Sequence, residues 1–193
     1  MNKNNCLLLV LLLFVVLIDS AFGSGISYPN FTSPLRLVFQ GDATLQAEAV
    51  RLTPSQAGKV GGLWLETKQA VDKGFETTFQ FRITEKVGHG ADGFAFVLQS
   101  RATPSLGSGG YSLGFIRGGS ALAIKFDTYH WHRRAYVKYD EIAVTSCGDE
   151  ERPEYLGDPL GTTTRPELFS DGNIHTARVR YEPGHLLVYL DDL

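Results

Sequence analysis

Apolar and polar residues alternate with a period of two along much of this chain, in runs separated by Gly, Pro, Asp and Ser clusters. That rhythm predicts short β-strands. Gly74–Thr84 (GFETTFQFRIT) sets Phe75, Thr77, Phe79, Phe81 and Ile83 on one face and Glu76, Thr78, Gln80 and Arg82 on the other. Gly93–Gln99 (GFAFVLQ) is apolar on both faces, the pattern of a strand covered on two sides. Ala121–Thr128 (ALAIKFDT) points Leu122, Ile124 and Phe126 one way and Lys125 and Asp127 the other. Glu141–Thr145 and His175–Tyr181 are further strands, and Glu182-Pro183-Gly184-His185 makes a hairpin turn into Leu186–Leu190. No stretch carries apolar positions at helical spacing between caps. Strands at this spacing predict an all-β sandwich or barrel. Ser100–Gly110 and Cys147–Asn173 are expected to be long loops, which in a compact domain are functional or mobile.

The N-terminus departs from this rhythm. Cys6–Ile18 is an unbroken run of 13 apolar residues, preceded by Lys3 and followed by Ala21-Phe22-Gly23, a small-x-small cleavage pattern. The run is short for a membrane span and fits a secretory signal peptide over residues 1–23. The remaining domain is then 24–193, with no further apolar run long enough to span a bilayer and no transmembrane segment expected after cleavage. The expected location is secreted and extracellular. Asn30-Phe31-Thr32 is a glycosylation sequon, so Asn30 is a candidate glycan acceptor.

Charge and cysteine narrow the classes. The chain has 18 Lys+Arg against 21 Asp+Glu, a net charge of −3, without the basic surplus of a nucleic-acid binder. Once Cys6 leaves with the signal peptide, Cys147 is the single cysteine, which excludes an intrachain disulfide framework and a cysteine zinc site. The histidines His130 and His132 have no third ligand near them in sequence and read as solvated loop residues.

Four motifs, in order, carry a resemblance. Gly90-Ala91-Asp92-Gly93-Phe94-Ala95-Phe96 resembles the GADG-aromatic motif of legume-type (L-type) lectins, and Gly109-Gly110-Tyr111-Ser112-Leu113-Gly114 their glycine-rich sugar loop. Ala123-Ile124-Lys125-Phe126-Asp127-Thr128-Tyr129 is similar to their VAVEFDT-aromatic strand, and Glu141-Ile142-Ala143-Val144 falls where the family has H-I-G-I. Leu35–Thr44 and Gly74–Thr84 fit its early strands. The resemblance implies a two-sheet antiparallel jelly-roll sandwich of the concanavalin A-like group, C-terminally truncated, since the family continues beyond the strand that ends at Leu193. It also implies carbohydrate binding without catalysis, and a cis Ala91–Asp92 peptide that aims the carboxylate at sugar. Hydroxyl-rich ligands need an accepting carboxylate, backbone N–H donors and an aromatic face for their C–H patches. Asp92 is the candidate carboxylate, Gly110 the N–H donor, and Tyr129 or Trp131 the platform.

The resemblance breaks at the family's manganese and calcium ligands. Lys125 stands in the Glu position, Trp131 in the Asn position and Glu141 in the His position, leaving Asp127 with Asp140 as a further oxygen. A lysine ammonium offers a metal no lone pair, which argues against manganese. Calcium is the one ion left open, with too few oxygens to satisfy its usual six to eight or so. No cofactor is expected. Instead, Lys125 is expected to bridge Asp127 and Glu141, a salt bridge in place of the ion. Three functions compete: a secreted lectin-like module recognising a glycan or glycoprotein, a sugar-blind interaction or receptor ectodomain of the same fold, and a glycoside hydrolase. The last is the weakest, because the E-x-D-x-x-E signature of jelly-roll glucanases is replaced by Lys125-Phe126-Asp127-Thr128-Tyr129-His130. The sequence leaves the oligomeric state undetermined.

Overall fold

The structure, a computed structural model, describes residues 7–12, 25–33, 36–87, 90–100, 106–115, 121–129, 140–147, 159–165 and 169–191. Among them are twelve strands: β1 Leu7–Leu12, β2 Leu37–Gly41, β3 Thr44–Gln46, β4 Ala49–Thr53, β5 Gly61–Leu65, β6 Phe75–Val87, β7 Gly93–Gln99, β8 Ala121–Asp127, β9 Asp140–Cys147, β10 Gly161–Arg165, β11 His175–Glu182 and β12 His185–Leu190. The helical piece among these residues is a 3-10 turn, Gly110–Ser112.

A six-stranded sheet of order β12-β11-β6-β1-β4-β3 and a four-stranded sheet of order β10-β9-β8-β7 form the two layers, and β2-β5 make a small third sheet. The core lies between the layers. Phe79, Phe81 and Ile83 of β6, Val179 of β11 and Leu190 of β12 meet Phe94 of β7, Ile124 and Phe126 of β8 and Ile142 of β9. Phe94 and Phe126 stack with centroids 4.6 Å apart and planes within 2°. Phe81 packs 4.8 Å from Phe94 and 5.2 Å from Phe126. Buried aromatic pairs of this kind add to the area they remove from water. A smaller cluster of Tyr28, Phe31 and Val50 packs against Leu37, Phe39, Leu63 and Leu65 of the third sheet.

The all-β sandwich expected from the alternation is what forms. In β6, Thr77, Phe79, Phe81 and Ile83 are buried as the pattern requires, with Phe75 half-buried at the strand's start. The turn at Pro183-Gly184 closes the β11–β12 hairpin, with Glu182 opposite His185.

One feature differs from expectation. The segment 147–173 is not all loop, because the threonine-rich β10 pairs along β9 from Gly161↔Val144 to Arg165↔Asp140. Three consecutive threonines favour extended backbone, a signal outweighed in the sequence by the surrounding glycines and prolines. Leu7–Leu12, inside the apolar run expected to be a signal peptide, pair antiparallel with β6 and β4 in the full chain. Hydropathy does not separate a central strand from a leader, so the expectation of a signal peptide over residues 1–23 stands beside this pairing.

Candidate functional site

The site begins where the chain enters β7. Gly93 has φ of +120°, and a Cβ there would lie 2.0 Å from the carbonyl oxygen of Phe126, so only glycine lets this loop close onto β8. That approach places Asp92 beside the end of β8, where the backbone N–H of Thr128 donates to the Asp92 carbonyl at 3.0 Å. The Ala91–Asp92 peptide is cis, as the resemblance implies. Burial pushes the Asp92 carboxyl above the ordinary carboxylate range; the charge of Asp127 pushes it further, and Lys125 opposes both.

β8 supplies the centre. Its sequence alternation separates Ile124 and Phe126 from Lys125 and Asp127, yet Ala123 through Asp127 are all buried. Lys125 Nζ lies 3.0 Å from Asp127 Oδ2, with both side chains at least 96% buried. Asp127 Oδ1 accepts the backbone N–H of Tyr129 at 2.9 Å. The register sets Asp127 opposite Glu141 and Lys125 opposite Ala143, so Lys125, Asp127 and Glu141 share a sheet face. The expected bridge is present in its Lys125–Asp127 half.

The glycine-rich segment covers this pair. Lys125 Nζ sits 4.1 Å from the centroid of the Tyr111 ring, a cation–π contact. Gly110 is exposed with φ of +68°, and nothing lies within 4 Å of where its Cβ would be. Glycine is required there by the left-handed backbone, and the open space leaves its peptide accessible to a ligand. The structure thus brings the Asp92 loop and the glycine-rich loop to the same lysine. Of the proposed platforms, Tyr129 is half-buried at the end of β8, while Trp131, with His130 and His132, lies outside the described residues. Tyr111 was absent from the sequence candidates. Its signal was an aromatic directly after two glycines in a ligand-type loop.

Asp140 has a different role from Asp127. Its two oxygens accept the backbone N–H of Ser170 at 2.7 Å and the Ser170 hydroxyl at 3.1 Å, and Lys86 Nζ donates to that hydroxyl at 3.0 Å. Burial pushes the Asp140 carboxyl up, against the pull of the Ser170 hydrogen bonds and the Lys86 charge. The network pins the segment after β10 to β9 and to the end of β6.

The manganese–calcium pair implied by the resemblance does not fit these residues. The ammonium of Lys125 already neutralises Asp127, whose two oxygens take donors from the protein, and Asp140 is engaged in the same way by Ser170. Among the described residues no group of three or more His, Cys, Asp or Glu gathers as a ligand set. Asn30 is exposed, its amide oxygen accepting the Thr32 hydroxyl at 2.7 Å within the sequon.

Known proteins agree with this architecture. The VIP36 exoplasmic/lumenal domain, solved with Ca2+ and Man3GlcNAc, superposes with a TM-score of 0.66 at 24% identity, over 84% of this chain and 67% of that one. Its metal-free form gives 0.62 at 25% identity, over 81% and 65%. A lectin of Bauhinia forficata is 31% identical over 53% of this chain, and the chain spans 50% of that relative's length. The model of the legume lectin domain matches residues 24–144, which contain the Asp92 loop, the glycine-rich segment and the Lys125–Asp127 strand, and the chain belongs to that family.

Proposed function

We propose that this chain is a carbohydrate-binding module of the secretory pathway, secreted or lumenal, which recognises a glycan without a metal ion and without catalysis. The observation that carries this reading is the convergence of Asp92 and the glycine-rich loop on the buried Lys125–Asp127 pair. Asp92 accepts hydrogen bonds from two sugar hydroxyls, and the exposed peptide at Gly110 donates one to a ring substituent. Lys125 replaces the ion as the fixed cation beneath both loops, and its bond to Asp127 holds the end of β8 in the neutralised state that a metal otherwise supplies. The relatives are lectins, and VIP36 was solved bound to mannose sugars, which supports a glycan as the partner. The apolar run Cys6–Ile18 and the sequon at Asn30 support the location.

Glycan-array binding with and without a chelator tests the reading. Binding is expected to persist in chelator. Asp92→Ala is expected to weaken it by about ten- to a hundredfold, the worth of hydrogen bonds to a charged acceptor. A folded protein that binds no glycan would support the sugar-blind interaction module instead, and binding abolished by chelator would return the metal to the site.

A further inference from the structure

We infer that Lys86 is the positioning residue of the Asp92 loop: Ser170 and Asp140 fix its ammonium, and its methylene stem forms the bed against which Gly90 turns the chain. The inference rests on the reading of Asp92 as the carboxylate that receives a sugar's hydroxyls. Lys86 acts on that carboxylate through the loop.

The end of β6 is re-phased to bring Lys86 there. Thr77, Phe79, Phe81 and Ile83 face the core, so strict alternation would send residue 85 inward and residue 86 outward. Glu85 instead takes the left-handed region, with φ of +53°. Its side chain is 62% exposed and meets Arg51 at 3.3 Å, and its carbonyl accepts the Ser55 hydroxyl at 2.6 Å. An irregular residue of this kind in a strand works as a bulge does and re-aims the side chain that follows. The conformation is unfavourable for a residue with a Cβ, and such outliers gather where a site needs a side chain in an unusual place. Lys86 is thereby turned inward, and its Nζ donates to the Ser170 hydroxyl at 3.0 Å.

The anchor that Lys86 reaches is fixed from several sides. Asp140 and Ser170 are both buried, and the one Ser170 hydroxyl proton goes to Asp140 Oδ1, so the same oxygen accepts from Lys86. Phe169, the preceding residue, is fully buried, with its ring 5.9 Å from Phe81 of β6 and 5.7 Å from Phe126 of β8. The stem is equally constrained at its other side. Gly90 is buried, and a Cβ placed on it would lie 2.8 Å from Lys86 Cδ and 3.1 Å from Cγ. The loop is therefore held at both ends. Gly93 closes on β8 and the Asp92 carbonyl takes the Thr128 N–H, while Gly90 rests on Lys86. A carboxylate that meets two hydroxyls in one geometry needs both restraints, because a loop loose at one end must be ordered by the ligand at a cost in affinity.

Amide hydrogen exchange and sugar titration, read where melting curves show every variant folded, separate positioning from stability. In Lys86→Ala the Thr128 amide, which bonds the Asp92 carbonyl, is expected to exchange about tenfold faster. The Tyr129 amide, bonded to Asp127, is expected to keep its wild-type rate. Affinity for methyl α-mannopyranoside and methyl β-galactopyranoside, titrated by NMR, is expected to fall about tenfold in the same variant. Lys86→Met keeps the stem and loses the anchor, and is expected to cost about threefold. Ser170→Ala is expected to match it, and the two together to add nothing further, since both cut one hydrogen bond. Lys86→Arg keeps stem and donor and is expected to stay within about twofold of the wild type. A lower melting temperature with both readouts unchanged would make Lys86 a stabiliser of the fold alone and overturn the inference. Lost affinity with unchanged Thr128 exchange overturns it too, because Lys86 would then act by a route other than the loop. A wild type that binds neither glycoside overturns the link to sugar, and the Thr128 and Tyr129 rates still decide whether Lys86 holds the loop.

Discussion

The four-stranded sheet is made by neighbours in sequence, β7 pairing with β8, β8 with β9 and β9 with β10. The six-stranded sheet joins two local hairpins, β11–β12 and β3–β4, through distant segments: β6 joins β11 on one side and β1 on the other, and β1 joins β4. The first carries nearly all the polar chemistry of the candidate site, and the second is its apolar support. A meander closes each pairing over a modest stretch of chain, so its geometry is specified locally and a binding site built on it inherits that precision. The support depends on long closures and on one central strand, and each long closure carries a larger entropy cost.

Removing β1 tests that dependence most severely. Deleting residues 1–23 separates β12-β11-β6 from β4-β3, leaving two strand edges facing an empty slot. Were β1 part of the mature fold, the loss would be a large fraction of the roughly 5–15 kcal/mol that holds a domain together, visible as a collapsed or non-cooperative melting transition. A chain processed after Gly23 is expected to melt cooperatively without it. Cleavage after Gly23 and the strand role of Leu7–Leu12 exclude one another in a single folded molecule unless another strand fills the slot. N-terminal sequencing of protein made in a secretory host, combined with its melting curve, decides between them. An unchanged transition in the shortened chain would show that the six-stranded sheet does not need β1.

The four-stranded sheet is expected to fail at one point rather than throughout. Lys125→Met leaves Asp127 charged and buried, at a cost of about 3–5 kcal/mol, or roughly 6–20 °C in melting temperature for a domain of this size. Adding Asp127→Asn removes the stranded charge while keeping an acceptor for the Tyr129 N–H, and is expected to restore much of the loss. If the single variant melts with the wild type, the pair is not the cation-for-metal replacement described above.

The difference between the sheets also explains what was legible. β6, β8, β9, β11 and β12 were readable because period two sorts side chains between a core and another face, and Phe79, Phe81, Ile124 and Phe126 obey it. β10 was not, because three threonines carry no apolar alternation, and the run that contains β1 fits two physical fates, leader and strand. Asp92, Gly110 and Lys125 were visible as motif positions. Tyr111 was not, since its value lies in a contact with Lys125 across separate segments, and sequence spacing does not encode which face of a ring is covered. Asp140 was readable as an oxygen donor, but its partner Ser170 lies 30 residues away beyond β10.

The smallest expected effect separates the two sheets by pH. His175 opens β11, with its ring against Phe81 of β6. Its Nδ1 lies 2.7 Å from Asp191 Oδ2 and its Nε2 3.0 Å from Asp171 Oδ1. Both nitrogens donate only in the charged ring, so the cation is the form this cluster selects. Burial pushes its pKa down, but the hydrogen bonds and charges of Asp191 and Asp171 outweigh burial and raise it above the ordinary 6.5. A raised folded-state pKa means the stabilisation is complete below that ordinary value and is lost as pH rises through the folded value. The carboxylates are 45% and 37% exposed, so solvent screening limits each pair to roughly 0–1 kcal/mol. Between about pH 5.5 and 8.5 the wild type is expected to lose a few degrees of melting temperature more than His175→Gln does, with the sugar affinity changed equally little in both. Parallel melting curves would remove the cluster as a stabiliser of the six-stranded sheet. A change in sugar affinity confined to the wild type would instead show that the supporting sheet transmits its protonation to the site, erasing the separation between the two layers.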